Sequence, residues 1–134
     1  MVDLRAFVFI DSLQPQFASF LATVAQGFLP RVGQASLFVE IAPGIEINRV
    51  TDIALKSTRV TPGMQIVERQ YGMLELHADS QADVRQAGRA ILETLQLEET
   101  QRLRPRIVSN QVVRHLDDHQ TMLINRMRHG NMIL

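Results

Sequence analysis

Hydrophobic positions along the chain switch between a two-residue and a three-to-four-residue period, and the switches fall at proline, glycine, serine or aspartate. Arg5 to Ile10 (RAFVFI) is β-branched and aromatic and runs into Asp11-Ser12, which predicts a strand ending in a turn. From Pro15, apolar residues recur at Phe17, Phe20, Leu21, Val24 and Phe28, with Gly27 near the end, and predict an amphipathic helix over residues 15 to 28. Ser36 to Ile41 (SLFVEI) returns to strand character and is punctuated by Pro43-Gly44. A second helix, residues 46 to 58, carries Ile47, Val50, Ala54 and Ile53 on one side, with Asn48, Arg49, Asp52 and Lys56 on the other.

After Pro62-Gly63, Met64 to Arg69 (MQIVER) and Gly72 to His77 (GMLELH) read as antiparallel strands joined around Gln70-Tyr71. Ser80 and Asp83 start a third helix, in which the hydroxyl satisfies an orphan amide and the acid sits at the positive end of the dipole. Val84, Ala87, Ile91 and Leu95 form its buried stripe over residues 81 to 95, and Gly88 on that side predicts close approach of another backbone. Beyond Glu98-Glu99, Arg106 to Arg114 (RIVSNQVVR) predicts a further strand. A last helix, capped by Asp117 or Asp118, runs through Met122, Leu123 and Met127 to Gly130, with Arg126, Arg128 and His129 in its final turn.

The order β, α, β, α, β, β, α followed by β, α makes this an α+β protein, an α/β sandwich with one mainly antiparallel sheet and helices packed on it. The closing β-α pair echoes the opening one, Leu103-Arg104 standing where Leu4-Arg5 stands and Gly130 where Gly27 does. The expectation is a domain over residues 1 to 97, then a linker and the opening strand and helix of a second, incomplete domain over residues 98 to 134.

Composition narrows the function. With 134 residues, 14 basic against 14 acidic side chains and no cysteine, the chain lacks the positive excess of a nucleic-acid binder and cannot build a disulfide scaffold, a thiolate nucleophile or a Cys-ligated metal site. No stretch reads as a signal peptide or membrane span, so a cytoplasmic protein with no nucleic-acid and no membrane partner is expected. Lys56 is the one lysine; every other basic residue counted is an arginine, suited to carboxylates and phosphates. No P-loop or dinucleotide loop is present and no cofactor is expected. His115 and His119 flank Asp117-Asp118, but the helix begins only near Asp117, so N-terminal capping is the expectation there rather than a metal site. An acid-base enzyme would draw on Glu68, Glu75 or His77, which the sequence by itself does not bring together; a non-enzymatic role is expected.

The runs FVFIDSLQPQFASFLATVAQGFLP, PGIEINRVTDIAL, PGMQIVER, QADVRQAGRAIL and LINRMRHGNMIL carry a resemblance. The chain resembles the bacterial microcompartment shell domain in its circularly permuted form, and across nearly its whole length the tandem-domain carboxysome shell proteins that form trimers with a gated pore. That resemblance implies a structural subunit of a carboxysome shell facet. Three tandem chains would form a pseudohexameric tile, two trimers would stack face to face, and tiles would meet other shell proteins edge to edge. It further implies that Glu68-Arg69, in VERQYG, is the gate of the central pore, that Lys56 is the tile-edge lysine, and that anionic metabolites such as ribulose bisphosphate pass. From the residues alone, without that resemblance, Glu68-Arg69 reads as an ordinary charged hairpin end. A small trimeric α+β protein that binds a metabolite through its arginines for regulation is the alternative function.

Overall fold

A computed structural model describes residues 1–125, which fall into two compact units, Met1–Leu103 and Arg104 onward. In the first unit the strands β1 (Asp3–Ile10), β2 (Ala35–Ala42), β3 (Thr61–Val67) and β4 (Gly72–Ala78) form one antiparallel sheet in the order β1-β2-β4-β3. The helices are α1 (Pro15–Val24), α2 (Ile47–Ser57) and α3 (Gln81–Leu95). The expected α+β class and single antiparallel sheet are what the chain adopts.

The main core lies between one face of the sheet and α2 and α3. Strand alternation sends Leu37, Val39 and Ile41 of β2 and Leu74 and Leu76 of β4 to this face, where they meet Ile47, Val50 and Ala54 of α2 and Val84, Ala87 and Ile91 of α3. These six helical side chains are among those the periodicity selects and each is shut off from solvent, while Ile53 and Leu95 of the same stripes are half-buried at the margin of the core. Ser80 caps α3 by accepting the Asp83 amide. Gly88 does permit a close approach, but of a side chain: a Cβ there would lie 2.9 Å from the ring of Phe7 on β1.

The second face is covered too, by a smaller cluster of Leu13, Ala18 and Leu21 with Phe17, Phe38 and Met64 around it. Here the structure corrects the first helix. It stops at Val24, and the amides of Gln26 and Gly27 bond to the Gly63 carbonyl and that of Phe28 to the Pro62 carbonyl. Those carbonyls lie beside the bulge between Pro62 and Met64, and they outcompete another helical turn for the donors. Gly27 is therefore a contact glycine, since a Cβ there would meet the Pro62 oxygen at 2.6 Å. Of the expected stripe, Leu21 is buried and Phe17 packs beside it, but Phe20, Val24 and Phe28 are exposed, and Leu13 and Ala18 complete the buried line in their place.

In the second unit the expected strand over 106 to 114 does not form. Among the described residues no ladder includes it, and Val108 and Val112 are each 84% exposed. An extended segment becomes a strand only by pairing along an edge, whatever its side-chain pattern. The helix α4 (Asp118–Asn125) is present and Asp117 caps it, accepting the Gln120 amide at 2.8 Å. Met127, Gly130 and the last-turn residues Arg126, Arg128 and His129 lie outside the described residues.

Candidate functional site

The hairpin between β3 and β4 places the two charges that the sequence singled out. Val67 pairs with Gly72, leaving Glu68, Arg69, Gln70 and Tyr71 as a four-residue loop closed by the Glu68 amide donating to the Tyr71 carbonyl at 2.8 Å. Strand β3 ends two residues before the sequence pattern suggests, which moves Glu68 and Arg69 from a strand end into the loop itself. Glu68, Arg69 and Gln70 are exposed, whereas Tyr71 is half-buried.

The loop is seated on backbone. Gly44, at the head of the short 3-10 turn that leads into α2, lies so close that a Cβ would meet the Glu68 carbonyl oxygen at 2.3 Å and that of Tyr71 at 2.5 Å. Gly72 returns the contact, since a Cβ there would approach the Gly44 oxygen at 2.4 Å. Two glycines thus allow the loop and the helix entry to touch without side chains between them. The ring of Tyr71 lies under the Arg5 guanidinium, 3.9 Å from its centroid, and Glu40 stands 3.5 Å from Arg5 Nε.

Lys56 occupies the last turn of α2 and is paired with Asp52 at 2.8 Å, one helical turn back. An acid four residues before a lysine is the favourable order on a helix, and the cation also complements the helix C-terminus. The gate loop abuts the entry to α2 and Lys56 lies at its exit, so the two are separated by most of an 11-residue helix, about 15 Å at 1.5 Å per residue.

Three polar residues on the sheet face turned away from α2 and α3 form a site that sequence reading left unassembled. Ser36 of β2 donates its hydroxyl to Glu75 Oε2, and His77 Nδ1 stands 2.9 Å from Glu75 Oε1. All three are buried, at 0%, 0% and 1% exposure. An ionised Glu75 can only accept, so the hydroxyl and Nδ1 both act as donors to it. Gly63 leaves room for the carboxylate, because a Cβ there would collide with Glu75 Oε1. Glu75 and His77 are two apart on one strand face, a signal visible in GMLELH; Ser36 joins them only through the register that sets it opposite His77. The third acid-base candidate, Glu68, is in the exposed loop, in a different environment. Sealed from solvent, the Ser36-Glu75-His77 group has no room for a substrate.

His115 lies in a left-handed turn with φ 52°, and His119 lies in the first helical turn after it. Among the described residues no group of three His, Cys, Asp or Glu side chains is arranged to hold a metal, and no helix is long and apolar enough to cross a membrane.

Comparison with known proteins adds an independent finding. The family model described as CsoS1D N-terminal domain matches residues 4–101. Over 133 residues the chain is 56% identical to the carboxysome shell protein CcmP of Synechococcus elongatus, covering 99% of this chain and 62% of that protein. It is 47% identical over 135 residues to the carboxysome shell protein CsoS1D of Hydrogenovibrio crunogenus, covering 100% of this chain and 66% of that one. The chain therefore spans a little under two thirds of these relatives. Among solved structures, the fused permuted hexameric shell protein MSM0275 from the RMM microcompartment superposes with a TM-score of 0.83 at 42% identity, covering 98% of this chain and 65% of that one. The double ringed trimeric shell protein MSM0271 from the same microcompartment gives a TM-score of 0.81 at 36% identity, with coverages of 100% and 64%.

Proposed function

This chain belongs to the family of the CsoS1D N-terminal domain, and on that premise we propose that it is a structural, non-enzymatic subunit of a carboxysome shell whose Glu68-Arg69 loop gates a pore. The observation that carries the gate is the exposed four-residue loop in which opposite charges stand side by side at one end of the sheet, seated on Gly44. One such loop is an ordinary hairpin. Repeated around a rotation axis, the same loop sets each Glu68 near a neighbour's Arg69, so that the ring closes by pairing across subunits and opens when the pairs separate.

The assembly in this reading is a trimer of tandem chains forming a pseudohexameric tile, with a second trimer stacked on it and other shell proteins at its edges. Residues 98 to 134 supply the linker and opening elements of the second domain, which would give the 106 to 114 segment the strand edge it needs. Lys56, at the far end of α2 from the loop, lies at the tile perimeter while the loop lies at the axis. A weak contact at such an edge gains strength by repetition across a facet. An arginine-bearing pore suits anionic metabolites of the ribulose bisphosphate kind. The relatives being shell proteins, and the buried acid-base pair lacking solvent access, the regulatory and enzymatic readings have no observation in their favour.

The test is electron microscopy of assembled tiles, wild type against Glu68→Ala/Arg69→Ala, with the pore diameter read in each. A changed distribution of open and closed pores is expected. An unchanged pore, or a map that places the VERQYG loop at the tile perimeter, returns the pair to an ordinary hairpin end.

A further inference from the structure

The strand β1 contains a bulge: Leu4 pairs with Ile41 and Ala6 with Glu40, and Arg5 between them has no partner of its own across the ladder. A bulge re-aims the side chain it carries. Here the Arg5 guanidinium is delivered over the ring of Tyr71, 3.9 Å from the centroid. Tyr71 is the residue whose carbonyl closes the loop on the Glu68 amide. We propose that Arg5 is the positioning residue of the Glu68-Arg69 loop, holding it in one of its two arrangements through the face of Tyr71. This rests on the gate reading and adds to it the device that sets which arrangement the loop occupies.

The construction of the contact suits a releasable hold. Arg5 Nε is buried and makes no aligned hydrogen bond; Glu40, 3.5 Å away, attracts it by charge without lying on the N–H axis. A cation resting on a ring face, steadied by an off-line carboxylate, biases a loop without locking it. Gly44 packs directly on the loop backbone and leaves it no slack there, so the Arg5 contact on Tyr71 is the part of the seat that can release. Both attachments come from residues far away in sequence.

Hydrogen exchange at the Glu68 amide reads the hold directly, because that amide is protected only while the turn is closed on Tyr71. In the full chain, Arg5→Gln and Tyr71→Leu should each speed exchange there by about fivefold, with the amides of α3 unchanged. Tyr71→Phe keeps the ring face and should exchange as wild type does, and Arg5→Lys, which keeps the charge, should fall between. Tyr71 is the only tyrosine and tryptophan is absent, so its intrinsic emission gives a second reading without a label, which Arg5→Gln should alter. Unchanged Glu68 exchange in Arg5→Gln, or Tyr71→Phe as fast as Tyr71→Leu, overturns the proposal. Imaging of the assembled tiles separates it from the reading on which it rests. If Glu68→Ala/Arg69→Ala moves the pore but Arg5→Gln moves neither pore nor exchange, the hold is refuted and the gate stands. If Arg5→Gln frees the Glu68 amide while no variant moves the pore, the hold stands and the gate is refuted.

Discussion

Removing His77 should damage this fold more than removing any exposed charge, and the Ser36-Glu75-His77 group allows the magnitude to be worked. Glu75 is completely buried, and its carboxylate is offset by two donors, the Ser36 hydroxyl and His77 Nδ1 at 2.9 Å. Ser36→Ala deletes one hydrogen bond to a charged group with almost no change in volume, a loss of about 1.5–3 kcal/mol. His77→Ala takes away the other donor and leaves a ring-sized void beside a carboxylate with no route to water, a loss of about 3–5 kcal/mol. For a domain of this size that is a large share of a total stability on the order of 5–15 kcal/mol. The triple replacement Ser36→Ala/Glu75→Met/His77→Leu removes charge, donors and desolvation together, and should lie within about 2 kcal/mol of wild type, far above the sum of its parts. Urea unfolding at neutral pH, with the slope checked for constancy across the set, measures each value. The reasoning is refuted if His77→Ala loses less than about 1 kcal/mol, or if the triple variant falls as far as its single changes added together.

Other outcomes follow from single contacts. Glu68→Ala and Arg69→Ala should leave the melting temperature within about 2 °C of wild type, because exposed charges stabilise little; a larger drop in thermal melts would mean that the loop is structural. Gly44→Ala would set a methyl 2.3 Å from the Glu68 oxygen, so the loop must move; displaced amide resonances confined to residues 67 to 72 and to the entry of α2 are expected, and an unperturbed spectrum would contradict the close contact. Ile91→Asp puts a charge at a position with no exposure and should abolish cooperative unfolding, whereas Leu95→Asp, at the half-buried margin of the core, should cost about 1–3 kcal/mol; circular dichroism melts that rank them in the opposite order would place the helix in the wrong phase. Amides of residues 106 to 114, outside any ladder, should exchange far faster than that of Ile91 when followed by mass spectrometry, and equal protection would mean that a pairing edge exists.

Local pattern by itself determined most of the elements. The stripes Ile47-Val50-Ala54 and Val84-Ala87-Ile91 are buried as their spacing requires, and the Ser80 cap is in place, because a helix face and its first orphan amides are decided within a few residues of sequence. The hairpin and the Glu68-Arg69 position were legible for the same reason, although strand β3 starts and ends earlier than its alternation suggests. What the tertiary structure decided depends on partners distant in sequence. The first helix ends at Val24 rather than Phe28 because the Pro62 and Gly63 carbonyls capture the next amides, and its buried line shifts accordingly. Arg106 to Arg114 has a strand's composition without a strand's pairing, since a ladder is a property of two segments. The alternation of β4 does not by itself say what covers its polar face; α1 and the segment after it do so, and only the β2-β4 register brings Ser36 to Glu75 and His77. The same holds at the loop. Glu68 and Arg69 are adjacent in the chain and can be found by reading it, whereas Arg5 and Gly44 reach Tyr71, and Glu40 reaches Arg5, only after the sheet has formed, and no spacing rule connects residues that far apart.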